Sequence, residues 1–157
     1  GTIGAERIRQ VILKDYFHKN KSEKFHKYTD TLLYLAARNE HIQDKILKAK
    51  RTKKILICDR FIDSTIAYQV YGKKVEFELI ENIHKYILQK IKPDITFLLK
   101  VKSSKASSRL KKRKTKNRYD KFSKKFYQNA QKAFIKLAKK NKKRYFIFYN
   151  YTDDKEL

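Results

Sequence analysis

Three short apolar runs, KKILIC at 53–58, DITFLLKV at 94–101 and RYFIFYNY at 144–151, constrain this chain most. Each is rich in β-branched or aromatic residues, bounded by charge, and too short for a typical helix, so each reads as a buried strand. Long stretches with apolar residues at helical spacing lie between them. Strand, helix, strand, helix, strand implies right-handed crossovers and a parallel sheet covered by helices on both faces, an α/β architecture. Ligands in such sheets bind at the carboxyl ends of the strands. Asp59 and Arg60 fall at that edge, as do the segments after Val101 and Tyr149.

The helical stripes are clear. Ile8, Val11 and Ile12 give a first short helix, and DYFHKNKSEKFHK reads as a loop. Leu32, Leu33, Ala36, Ala37, Ile42, Ile46 and Leu47 mark a long helix over about 29–50. Another begins near Ser64 and breaks near Gly72. The amphipathic EFELIENIHKYILQKI at 76–91 is ended by Pro93. Ser103 suits the N-cap of a helix to about Arg113. KTKNRYDK is a basic loop, 122–140 is helical again, and DDKEL resembles the start of one more helix.

At 157 residues without internal repeats or a Pro/Gly linker, the chain reads as one domain. The lone Cys58 excludes an internal disulfide framework and fits a small core hydrophobe in a reducing compartment. The four histidines show no metal-ligand spacing. No apolar run is long enough to span a membrane, and a cytoplasmic location is expected. The formal net charge is +25, of which residues 100–143 carry +18. Such a field attracts polyanions, so nucleic-acid binding stays open on composition alone. Lysine outnumbers arginine 32 to 9, which makes the positions of the arginines more informative. A bidentate, permanently charged fork is hard to replace at a phosphate site.

Three constellations stand out. Tyr34 and Arg38 lie four apart on the long helix, where a ring beside a guanidinium can stack a base and hydrogen-bond its edge. In CDRFIDSTIAYQ, Thr65, Tyr68 and Gln69 share a helical face next to Arg60, and a helix start beside an arginine favours a bound anion. Ser64 or Asp63 could equally be an ordinary N-cap. Arg109 and Arg113 are again four apart and lead into the loop containing Arg118. Several guanidinium groups on one segment suit phosphoryl transfer, where catalysis is mostly positioning and charge neutralisation.

TLLYLAAR, ICDRFIDSTIAYQ, KPDITFLLKV and NRYDKF, in this order and spacing, closely resemble the bacterial thymidylate kinases along essentially the whole chain. The resemblance implies a single nucleoside-monophosphate-kinase domain over 1–157 with the three-layer P-loop-kinase sheet. A lid spans about 105–121. The implied reaction is ATP-dependent phosphorylation of dTMP to dTDP for dTTP supply, with Mg²⁺, in a homodimer. Asp59 would assist the Mg²⁺-bound phosphates through water, and Arg60 would hold the acceptor phosphate. Tyr34 matches the ring stacked on thymine and Arg38 the arginine on its edge. Ser64, Thr65 and Gln69 belong to the polar acceptor site, and Tyr68 crowds the sugar 2′ position. Arg109, Arg113 and Arg118 match the lid, with Arg109 and Arg113 reaching the donor phosphates. After Gln69 this chain has VYGKK, with lysines where arginine is common in the family. Another nucleoside monophosphate, a deoxynucleoside, or nucleic acid are the alternative ligands, the last disfavoured because it does not explain the convergence of Tyr34, Arg38, Asp59, Arg60, Thr65 and Gln69.

Glycines occur only at 1, 4 and 72, so no Gly-x4-Gly-Lys-Ser/Thr phosphate cradle is present. Against the family pattern this implies roughly 40 further leading residues with two strands, and most of a final helix. The segments 54–58 and 95–101 should then lie about two strand spacings apart, ~9.6 Å, rather than paired at ~4.8 Å. No ATP-dependent activity is expected from residues 1–157 alone.

Overall fold

A computed structural model describes residues 1–15, 25–112 and 118–149. Helix α1 (Ile3–Gln10) starts where the Thr2 hydroxyl accepts the Ala5 N–H at 3.1 Å, and a wide π turn, Val11–Asp15, continues it. Helix α2 (Lys27–His41) runs on through a π turn, Ile42–Ile46, into Leu47–Arg51. Helix α3 (Ile62–Thr65) opens into a long π segment, Ile66–Gly72. Helix α4 spans Phe77–Leu88, β1 Thr96–Lys100, α5 Ser103–Lys112, and a single 3₁₀ turn covers Arg118–Lys121. Helix α6 (Lys124–Lys140) is capped by Ser123 Oγ, which accepts the Phe126 N–H at 3.2 Å, and β2 is Tyr145–Tyr149.

Strands β1 and β2 are parallel, with Thr96 opposite Tyr145 and Lys100 opposite Tyr149. The crossover between them carries α5 and α6, as the alternation of runs requires. The segment 54–58 corrects the expectation of a third strand. It is not hydrogen-bonded to β1, and the sheet among the described residues has two strands. Ile55 and Ile57 stand 95% and 93% exposed. A β-branched run becomes a strand only when a neighbour completes its ladder, and no described residue supplies one. Phe97 and Leu99 are likewise exposed on one face of β1.

Smaller differences have local causes. Helix α4 stops before Pro93 because Gln89 and Lys90 take left-handed conformations, φ 45° and 66°. Ser103 is the first helical residue rather than the cap. Neither Ser64 nor Asp63 caps α3, whose N-cap position is Phe61. The helix suggested by DDKEL lies outside the described residues.

The core lies among the helices. Leu35, Val75 and Ile80 form one cluster, Ile42, Ile46 and Ile91 a second, and Ala67, Ala130 and Ala133 a third. Each fully buried isoleucine contributes about 1.5–3 kcal/mol. The alanine cluster lets α6 approach the π segment closely. Gly72 is part of that fit: a Cβ there would meet the Phe126 ring at 2.4 Å.

His84 on α4 is buried, its Nε2 has no hydrogen-bond partner among the described residues, and burial pulls its pKa down to about 4. The unfolded chain therefore takes up this proton near pH 6.5, before the fold does. Stability tied to neutral His84 is complete above pH 6.5 and drains as pH falls toward 4. Urea unfolding at pH 7 and pH 5 should show His84→Leu losing about 2 kcal/mol less than the parent. Parallel losses would refute this.

Candidate functional site

The site is built where 58–60 turns into α3 and faces α2. Arg60 turns the chain with φ 66°, a left-handed conformation costly for a residue with a side chain. The Cys58 thiol donates to the Arg60 carbonyl across this turn at 3.6 Å, and burial pushes that thiol's pKa up. Arg60 Nη1 donates to the Tyr68 hydroxyl at 2.8 Å, and its guanidinium lies 5.6 Å from the Tyr68 ring centre. Asp59 and Arg60 are both exposed at this edge.

Arg38 reaches across from α2. Its Nη2 donates to Thr65 Oγ1 at 3.0 Å, and its guanidinium sits 5.0 Å from the Phe61 ring centre. Nε is buried with no hydrogen-bond partner among the described residues. Burial lowers the pKa to about 10, which still leaves a full cation at neutral pH. One turn earlier, burial raises the Tyr34 hydroxyl to about 12. Of the residues singled out in the sequence, Arg38 thus meets Thr65 directly, while Tyr34 and Gln69 meet through Tyr119.

Tyr119, from the 3₁₀ turn, was given no part in the acceptor site by the sequence and stands at the centre. Its ring meets Tyr34 edge-on at 6.0 Å and Tyr68 at 5.7 Å. Gln69 Nε2 donates to its hydroxyl at 3.3 Å, and burial drives that hydroxyl's pKa up. Tyr68 also stacks on Phe126 at 5.9 Å and meets Phe134 edge-on at 6.0 Å. Ser64 is buried with its N–H bonded to the Phe61 carbonyl at 3.1 Å.

Two ion-pair systems surround this cluster, and sequence reasoning missed both. Asp30, wholly buried on α2, pairs with Lys73 and with Arg118, the latter at 2.6 Å. Burial draws the Lys73 pKa down to about 8 against the pull of Asp30. Arg118 is therefore folded inward beside the aromatic cluster around Tyr119. Asp63 takes both Arg144 nitrogens at 3.0 and 3.1 Å, and Arg144 Nη1 also donates to Thr96 Oγ1 at 3.0 Å. The available signal for Asp30 was a carboxylate four residues before Tyr34 and eight before Arg38, one helical face.

Arg109 lies on α5, which leaves the carboxyl end of β1, and Arg113 lies outside the described residues. Among the described residues no group of three or more His, Cys, Asp or Glu side chains could hold a metal. Next to Arg60 at this edge stands the exposed carboxylate of Asp59.

The sequence profile of the thymidylate kinase family matches residues 1–155. The chain belongs to the thymidylate kinase family. It is 41% identical over 144 residues to a thymidylate kinase of Wolbachia pipientis from Culex pipiens, covering 92% of this chain and 64% of the relative. A Mycoplasma capricolum thymidylate kinase is 36% identical over 146 residues, 92% of this chain and 66% of that protein. The chain thus spans just under two thirds of the curated relatives it matches. The crystal structure of the Ehrlichia chaffeensis thymidylate kinase superposes with a TM-score of 0.71 at 29% identity, over 100% of this chain and 69% of that one. Family membership fixes the α/β fold of the P-loop kinases. It also gives the Arg38–Thr65 and Arg60–Tyr68 contacts a common setting.

Proposed function

We propose that this protein is a dTMP kinase, transferring the γ-phosphate of ATP to dTMP to give dTDP for dTTP synthesis. The observation that supports it best is the gathering of Arg38 on Thr65 and of Tyr34 and Gln69 on the Tyr119 ring, next to the Arg60–Tyr68 pair. A planar base between Tyr34 and its neighbours would present its edge to the Arg38 fork. The acceptor phosphate would meet Arg60, held at the edge by Tyr68. Tyr68, packed between Tyr119, Phe126 and Phe134, has little room to withdraw from a sugar 2′ hydroxyl.

ATP supplies the phosphoryl group, and Mg²⁺ when bound screens the phosphate charge. Mg²⁺ is commonly held by one or two carboxylates plus substrate phosphates, and Asp59 fits that role through a bridging water. The segment about 105–121 acts as the lid, with Arg109, Arg113 and Arg118 in it. It is anchored on both sides: Gln131 donates to the Val101 carbonyl at 3.1 Å, and Arg118 pairs with Asp30. The enzyme works as a homodimer in the cytoplasm. No described helix is long and apolar enough to cross a membrane.

The test is a calorimetric titration of the full-length gene product with dTMP and with single-stranded DNA at physiological salt. Saturable one-to-one dTMP binding with no salt-steep DNA binding is expected. Tight DNA binding that weakens steeply with salt, without dTMP binding, would replace this reading by nucleic-acid recognition.

A further inference from the structure

Asp30 is fully buried, and two cations from distant parts of the chain close on it: Lys73 on Oδ2 and Arg118 on Oδ1. Lys73 follows the segment that carries Thr65, Tyr68 and Gln69, and Arg118 opens the turn that carries Tyr119. The Lys73 and Arg118 side chains are only 10% and 14% exposed. Lys73 Nζ also lies 5.4 Å from the ring centres of both Tyr119 and Phe122. One carboxylate therefore ties α2, the π segment and the 3₁₀ turn together. These are the three pieces that meet at Tyr119.

Stability alone does not explain the arrangement. Three charges buried together repay their desolvation poorly, and well-packed apolar side chains often do as well. The turn after Gly72 is also secured without Asp30. Lys27 Nζ donates to the Lys74 carbonyl at 2.7 Å, and the Tyr28 hydroxyl to Glu76 at 2.7 Å. What a charged centre adds is register, because a carboxylate with two cations has one good geometry. We infer that Asp30 is a positioning residue for the acceptor base: it fixes Tyr119 against Tyr34 and Gln69, and so sets the slot in which the base lies. Lys73 shares the task, which gives the lysine after Gly72 a reason to be a cation.

This rests on the acceptor-site reading above, and its test separates the two. Asp30→Asn keeps the shape and removes the charge. In the full-length gene product its KM for dTMP should rise roughly 10- to 100-fold, the range typical of coupling between sites. The KM for ATP should stay within about twofold, the scatter expected of a group uninvolved in donor binding. Lys73→Arg, which keeps a cation on Asp30, should retain parent behaviour, whereas Lys73→Met should reproduce the loss. Should Asp30→Asn fail to fold, Asp30→Asn/Lys73→Met, which removes one charge of each sign, carries the same measurement. Parent-like dTMP kinetics in a folded variant, or equal losses for dTMP and ATP with a lowered melting temperature, would overturn the inference. A parent protein that does not bind dTMP would overturn the acceptor reading and this inference together.

Discussion

Asp63→Ala is expected to cost about 1.5–3 kcal/mol of folding stability, a sizeable share of the 5–15 kcal/mol typical of a domain. Asp63 and Arg144 exchange two charge-assisted bonds at 3.0 and 3.1 Å, with side chains 11% and 18% exposed. Arg144 is also bonded to Thr96, so this pair joins the first turn of α3 to the starts of both strands. The loss comes less from the attraction forgone than from the guanidinium left in poor solvent without its anion. Urea unfolding of the parent, Asp63→Ala, Arg144→Met and the double variant would show it. The double variant should lose clearly less than the two single losses added, since neither charge is then stranded. A single-variant loss below about 1 kcal/mol would show the pair to be no better than a surface bridge.

The second large effect concerns the acceptor. Arg38→Ala should weaken dTMP binding about 100-fold while ATP binding changes little, because a charge-assisted, geometrically fixed bond to a base edge is lost. The guanidinium is held from two sides, by Thr65 at 3.0 Å and by the Phe61 ring at 5.0 Å, so its direction is set before a ligand arrives. Arg38→Lys should recover little, since a point charge cannot reproduce the fork. Calorimetric titration with each nucleotide decides it. Equal weakening for dTMP and ATP would remove Arg38 from the base site.

Much of this was legible in the sequence, for reasons of distance along the chain. Residues four apart on one helix share a face whatever surrounds them, which is why Tyr34 and Arg38, or Thr65 and Gln69, could be placed together. The stripe of α4 and the apolar runs of β1 and β2 carry their own period. The ion pairs could not be read this way. Asp63 and Arg144 are 81 residues apart, and Asp30 and Lys73 are 43 apart; only tertiary packing, such as that of α6 on α3 and its π segment, brings such residues together. The run at 54–58 failed for the opposite reason. Its local preference is strong, but a strand is a property of a pair. Tyr119 sits in a basic loop whose composition says nothing of the Tyr34, Tyr68 and Gln69 contacts that its ring makes.

The left-handed turn at Arg60 has a consequence for how this protein can change. Glycine would relax φ 66° most fully, and asparagine in part, yet either removes the guanidinium held by Tyr68. Heat tolerance and the phosphate-holding role proposed for Arg60 would therefore pull this position in opposite directions. A population screened for folding alone should drift toward glycine here, gaining robustness at the cost of the Arg60–Tyr68 contact. A strained non-glycine residue kept at this position is what a requirement for its side chain would produce.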